Sequence, residues 1–198
     1  MNKKFIAEVL KLAPEFAVVN GYFYVEPVDH ILCGFVCERP PSGAYIWKYA
    51  FPLYDRCKRL HLGFGDRLPL PDCFMEAKRG REKEVAAEFI RRIQPYRSEI
   101  ASLACLDRFA AYIETEIGLE NPIIRRGYAV TLIMLGRANE AMAELAALAS
   151  LDAVKEDQEF SADITRLQSD LSIGIETARK TLGAWEQETK QRLALIPA

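Results

Sequence analysis

Tyr45-Ile46-Trp47-Lys48-Tyr49-Ala50-Phe51-Pro52-Leu53 decides the fold. Large apolar side chains at 45, 47, 49, 51 and 53 fall on one side of an extended chain, and Ile46, Lys48 and Ala50 on the other. A period of two excludes a helix, whose faces repeat every ~3.6 residues. The stretch therefore reads as a strand, with Pro52 marking its end or a sheet edge. Upstream, Tyr22–Val28 is rich in aromatic and β-branched residues. Ile31, Cys33, Phe35 and Cys37 alternate with Leu32, Gly34 and Val36. Asp29-His30 fits a tight connection between these two runs, which predicts a hairpin. Arg39-Pro-Pro-Ser-Gly43 predicts a loop. Downstream, Leu60–Phe64 reads as a fourth strand ending at Gly65-Asp66-Arg67, and the two prolines in Leu68–Asp72 make a linker.

From about Met75 the period changes. Val85, Phe89 and Ile93 predict a helix with a charged outer face, ended by Pro95. Ile100, Leu103, Leu106, Phe109, Ala110 and Ile113 continue as a second helix that Gly118 stops. Asn121-Pro122 supplies an N-cap and a first-turn proline for a third helix over 123–135, with Gly136 as its stop. Ala138–Ser150 is a fourth. Phe160, Ile164, Leu167, Leu171, Ile175, Ala178, Leu182 and Trp185 then mark one long helix or two collinear ones, with Gly174 as a possible break. Ahead of the sheet, Phe5, Ile6, Val9, Leu10 and Ala13 predict an amphipathic helix. The fold class is α+β: an N-terminal helix and an antiparallel sheet of about four strands over 1–74, then a helical region over 75–198 ending in a long helix. Both are expected in one continuous globular unit.

The 198 residues can bury a core, and Lys plus Arg number 26 against 28 Asp plus Glu. That balance gives no general attraction to nucleic acid or anionic membrane. Glu8 and Lys11 interrupt the N-terminal apolar run, which argues against a signal peptide. Tyr128–Leu135, the most apolar stretch, is far short of the ~18 residues that suggest a membrane span. Five cysteines, an odd number, point to free thiols in a reducing cytoplasm.

Cys33-x3-Cys37 and Cys57-x3-His61 look like zinc ligands as a string. Residues four apart on a strand, however, stand ~13 Å apart, too far for two sulfurs each ~2.3 Å from one ion. No metal and no cofactor is expected. Nucleophilic catalysis has only His30 and His61 as bases, and no nucleophile elbow is present. Asp29-His30 reads as a turn pair. Asp29, Glu38 and Lys48 match a metal-dependent nuclease only loosely. Gly63-Phe-Gly-Asp-Arg67 lacks the following helix N-terminus that a phosphate loop needs. Arg56, Lys58 and Arg59, then Lys78, Arg79, Arg81 and Lys83, form two basic clusters. Glu76, Glu82, Glu84 and Glu88 neutralise the second, which argues against nucleic-acid binding. Arg125 and Arg126 oppose a helix macrodipole, so they pair with nearby acids or face an acidic partner.

Residues 128–152 resemble one tetratricopeptide-type helical hairpin, on Leu135-Gly136, Glu140-Ala141 and Leu151-Asp152. Arg125 and Ala138 depart from that pattern, and no second copy follows at the repeat spacing. The resemblance implies helix-hairpin packing and the option of a peptide groove. Pro27-Val28-Asp29-His30-Ile31-Leu32-x-Gly34-Phe35, the Trp47 to Leu53 strand and Phe64-Gly-x-Arg67-Leu68 are similar to uncharacterised bacterial proteins of the kind that accompany polymorphic toxins as immunity proteins. That resemblance implies a protein partner and transfers no site.

The leading expectation is a non-catalytic cytoplasmic protein-binding module of the immunity, regulatory or adaptor kind. Its candidate binding residues are Tyr45, Trp47, Tyr49, Arg125 and Arg126. The aromatic face of the strand is expected under a helix, and a homodimer through the C-terminal stripe is the sharper use of that stripe. The alternatives are an enzyme acting on a phosphate-containing substrate near His30, His61, Asp66 and Arg67, and a nucleic-acid-binding protein using Arg56–Arg59 and Lys78–Lys83.

Overall fold

The computed structural model describes residues 2–38, 43–56, 59–78 and 80–196. The expected loop at Arg39–Ser42, together with Cys57, Lys58 and Arg79, lies outside these residues. The chain divides into two compact units, residues 1–51 with 64–104 and residues 52–63 with 105–198. The expected division at 74/75 followed the change in secondary structure. The units instead follow packing, which keeps the first helices of the helical region with the sheet.

In the first unit, helix α1 (Lys3–Leu12) starts at Asn2, whose side chain accepts a hydrogen bond from Phe5 N–H. Strands β1 (Phe16–Val19), β2 (Tyr22–Val25), β3 (Ile31–Glu38) and β4 (Ala44–Pro52) follow in spatial order. Two short strands, β5 (Gly65–Arg67) and β6 (Phe74–Met75), pair successive stretches of the far edge of β4. Between them, Ile46 N–H donates to Cys73 O and Leu68 N–H to Ile46 O. That edge of β4 is therefore bonded over most of its length by the chain on either side of the expected linker Leu68–Asp72. Pairing is antiparallel, with Phe23 opposite Phe35 and Tyr24 opposite Gly34.

Helix α2 (Glu82–Ile93) packs on α1, and α3 (Arg97–Ser102) on β3. Their core is aromatic. Phe5 meets Phe23 and Phe89 edge-on, with centroids 6.1 and 5.7 Å apart. Val85, Phe89 and Ile93, the expected inner face of α2, are all buried. Burying a large apolar side chain contributes about 1.5–3 kcal/mol, so this cluster anchors the helices to the sheet.

The expected fourth strand over Leu60–Phe64 is instead a 3-10 turn at Leu62–Phe64, and pairing begins one residue later. β1 was not foreseen. The expected second helix is broken into α3 and α4 (Leu106–Tyr112), with turns at Leu103–Cys105. A π turn (Ile113–Ile117) then leads to Gly118.

In the second unit, α5 (Pro122–Leu135) is the central helix, buried on nearly every side. Gly136 ends it in the left-handed region at φ 83°, and α6 (Ala138–Ser150) turns back along it. A short α7 (Asp152–Glu156) leads to α8 (Gln158–Ile173) and α9 (Ile175–Arg192). Gly174 separates the last two, and they fold against each other: Thr181 Oγ1 donates to Asp170 Oδ2 at 2.6 Å. A collinear helix would set those residues ~16 Å apart. Ile164, Leu167, Ala178 and Leu182 of the expected apolar stripe are buried in this monomer. Arg179 on α9 donates to Ile133 O and Met134 O, satisfying carbonyls that the end of α5 leaves open. Among the described residues no helix is long and apolar enough to cross a membrane.

Candidate functional site

The most chemically dense site lies in the second unit. The 52–63 segment enters it through a turn at Pro52–Asp55, with Asp55 N–H donating to Pro52 O. Leu53, Tyr54 and Asp55 are wholly buried, and the Tyr54 hydroxyl bonds Thr131 Oγ1 of α5 at 2.9 Å. A buried carboxylate needs a cation, and Asp55 has one: Arg126 Nε lies 2.8 Å from its Oδ1. Asn121 caps α5, accepting from Ile123 N–H ahead of Arg126. On α8, Asp157 caps by accepting from Phe160 N–H. Phe160 and Asp163, three residues apart, therefore share a face.

Arg126 is engaged on each side. Its NH2 donates to Arg56 O at 3.2 Å, and its NH1 stands 3.8 Å from Asp163 Oδ2. The Phe160 ring centroid lies 4.4 Å from its guanidinium carbon, within the range of a cation–π contact. Asp163 also accepts from Arg56 NH1 at 3.2 Å. Around this core opens a cleft of about 380 Å³, lined by Arg56, Arg59, His61, Ile123, Phe160 and Glu159 among others.

Burial pushes the Asp163 carboxyl up, against the pull of Arg56 and Arg126. Burial also pushes His61 down; Arg126 adds to that shift and Asp55 opposes it. Gly63 N–H donates to His61 Nδ1 at 3.0 Å, so the neutral ring carries its proton on Nε2. The cleft thus presents a neutral imidazole, two partly open arginines, an aromatic ring and a raised carboxyl.

The residues singled out from sequence are placed as follows. His61 and Arg126 line this one cleft. Arg125 turns away and donates to Glu144 of α6 at 2.8 Å. Both arginines at the start of α5 therefore pair with acids, the first of the two options foreseen. In the first unit, Arg67 stacks over Tyr45 and Trp47, 4.1 and 5.0 Å from the ring centroids. Glu38 accepts from both Trp47 Nε1 and Arg67 NH2. Tyr49 is buried, and its hydroxyl donates to Phe23 O at 3.3 Å. The aromatic face of β4 is thus spent on contacts within the unit, with Tyr45 and Trp47 half-buried. Asp66 is exposed, opposite Lys48 on β4. His30 Nε2 lies 3.7 Å from Asp29 Oδ1 ahead of β3. Lys48 pairs with Glu99 rather than with a carboxylate cluster. Cys33 and Cys37 both sit on β3, as the strand reading required.

Asp55, Phe160 and Asp163 were not found from sequence. The available signal was indirect: Arg126 stands where a helix disfavours a cation, which implies a buried acid elsewhere. No family model, no curated protein and no solved structure matches this chain.

Proposed function

We propose that this chain is a cytoplasmic, non-catalytic binding module of the immunity, regulatory or adaptor kind, and that the cleft of its second unit receives a protein partner. The composition of that cleft carries the reading. Arginine and aromatic side chains dominate the energetics of protein interfaces, and here Arg56 and Arg59 flank Phe160 and a 42% exposed Ile123. Asp157 and Glu159 add opposite charge at the rim, an arrangement that sets register with a partner more than raw affinity. The Asp55–Arg126 pair fixes the floor, so little order has to be gained on binding. Cys33, Cys73 and Cys105 are free thiols, which suits a reducing compartment.

The test is affinity capture from the native host with the wild-type chain, Phe160→Ala, Arg59→Glu and the control Ser169→Glu on α8. A partner retained by wild type and control but lost by the two cleft variants supports the reading. Equal retention by all four overturns it.

A second reading rests on a different observation: the raised Asp163 carboxyl and His61 line one cleft with two arginines, an arrangement suited to acid–base work on a phosphate-bearing substrate. Turnover of a phosphomonoester by the wild-type chain that Asp163→Asn abolishes would favour it; no turnover removes it.

A further inference from the structure

We propose that a pocket in the first unit, between the sheet and α3, binds a neutral apolar small molecule. Its floor is Ile31, Cys33 and Phe35 of β3; Phe16 and Val25 form one wall, and Ile100 with Ala101 the other. The cavity measures about 380 Å³, within the range of pockets that enclose small ligands. At ~30 Å³ per water molecule, that is room for about a dozen.

Three observations select the occupant. The floor carries no charge. Burial pushes the Cys33 thiol up to about 12, so it stays protonated and behaves as a small hydrophobe. The two charges that line the pocket, Arg97 and Glu26, are of opposite sign. Arg97 is already engaged by the Glu15 carboxylate and stacked over the Phe16 ring. A charged ligand would lose hydration without gaining a counter-ion at depth. Finally, the floor and one wall belong to strands whose registers are closed by sheet pairing from Phe16 to Val25 and from Tyr22 to Val36. A peptide laid in the pocket would bring backbone N–H and C=O groups that need partners, whereas an apolar molecule without amides brings none. Room is left on the α3 side by the small residues Ala101 and Ala104.

The probe is N-phenyl-1-naphthylamine, a neutral dye that fluoresces in apolar surroundings, titrated against the full chain. Saturable binding at one site per chain is expected. Ala101 and Ala104 are exposed, so Ala101→Trp and Ala104→Trp can fill the pocket without disturbing the core. Each is expected to weaken binding at least tenfold, while Ser169→Trp on α8 leaves it unchanged. Anilinonaphthalene sulfonate, the anionic counterpart, is expected to bind at least tenfold more weakly than the neutral dye. Absence of saturable binding, wild-type affinity in both alanine variants, or equal affinity for the anionic dye overturns the proposal. Thermal melts of each variant establish that it is folded.

Discussion

Arg126 Nε lies 2.8 Å from Asp55 Oδ1, with the carboxylate wholly buried and the arginine side chain nearly so. The pair joins the 52–63 segment to the second turn of α5. Removing one member of a buried pair costs up to about 3–5 kcal/mol, and Asp163, 3.8 Å from Arg126, offsets part of that. Asp55→Asn keeps the shape and loses the charge, so its urea-unfolding free energy is expected to fall by up to that amount. Replacing both residues, as Asp55→Leu with Arg126→Met, is expected to recover most of the loss. An unchanged midpoint for Asp55→Asn would refute the importance of the pair.

Gly34 faces Tyr24 across β2 and β3, and a Cβ built there would stand 1.8 Å from Phe23 O. Backbone cannot yield that far without opening the ladder. Gly34→Ala is therefore expected to cost about 3 kcal/mol or more, measured by chemical denaturation. Amide exchange should locate the lost protection in β2 and β3.

Gly136 ends α5 at φ 83°. An alanine there takes on the left-handed strain of about 1–2 kcal/mol. Its Cβ would also lie 3.0 Å from Arg179 NH2, the group that bonds Met134 O. Gly136→Ala is expected to lower the thermal midpoint. Gly136→Asn, which tolerates that backbone region better, should lower it less.

Burial depresses the His61 pKa from its ordinary 6.5. The unfolded chain therefore takes up the proton first as pH falls. The stability that neutral His61 confers is fully present above about 6.5 and is lost as pH drops toward the folded value. Asp163, with its pKa raised, works in the opposite sense: its ionisation costs stability as pH rises through its folded value. The difference between wild type and His61→Gln isolates the histidine. That difference is expected to shrink steadily below 6.5, and a constant difference down to pH 5 would contradict the prediction.

Cys105 is exposed, whereas burial pushes the Cys33 thiol up to about 12. Thiolate is the reacting form. Iodoacetamide at pH 8 is expected to label Cys105 well before Cys33 in the folded chain, read by peptide mass mapping. Labelling at matching rates would show Cys33 to be more open than its surroundings imply.

What the sequence revealed depended on how local the signal was. β4 was legible because its alternation runs over most of the strand, and α5 because Asn121-Pro122 and Gly136 punctuate both ends. β1 escaped because its four residues, Phe16–Val19, are too few to show a period; β2 holds them in place. Leu60, Leu62 and Phe64 alternate like a strand, yet the chain turns at Leu62–Phe64 and buries Phe64 alone of the three. Apolar spacing runs through Leu103 and conceals the break between α3 and α4. At the cleft, His61 and Arg126 stood out one at a time. Their grouping did not, because Arg56 and Asp163 are 107 residues apart and no periodicity links them.

The 52–63 segment has a consequence for biosynthesis. It leaves the ribosome between two stretches of the first unit, yet its buried carboxylate is matched by a cation far downstream; 70 residues separate Arg56 from Arg126. At roughly 5–20 residues per second, translation imposes a wait of several seconds. By then residues 64–104 have emerged and the first unit has its full sequence. If the first unit folds at that point, β4 and β5 fix both ends of the segment and its loop-closure entropy is met before the helices of the second unit arrive. Until then Leu53 and Tyr54, both wholly buried in the folded protein, lack the second unit that buries them.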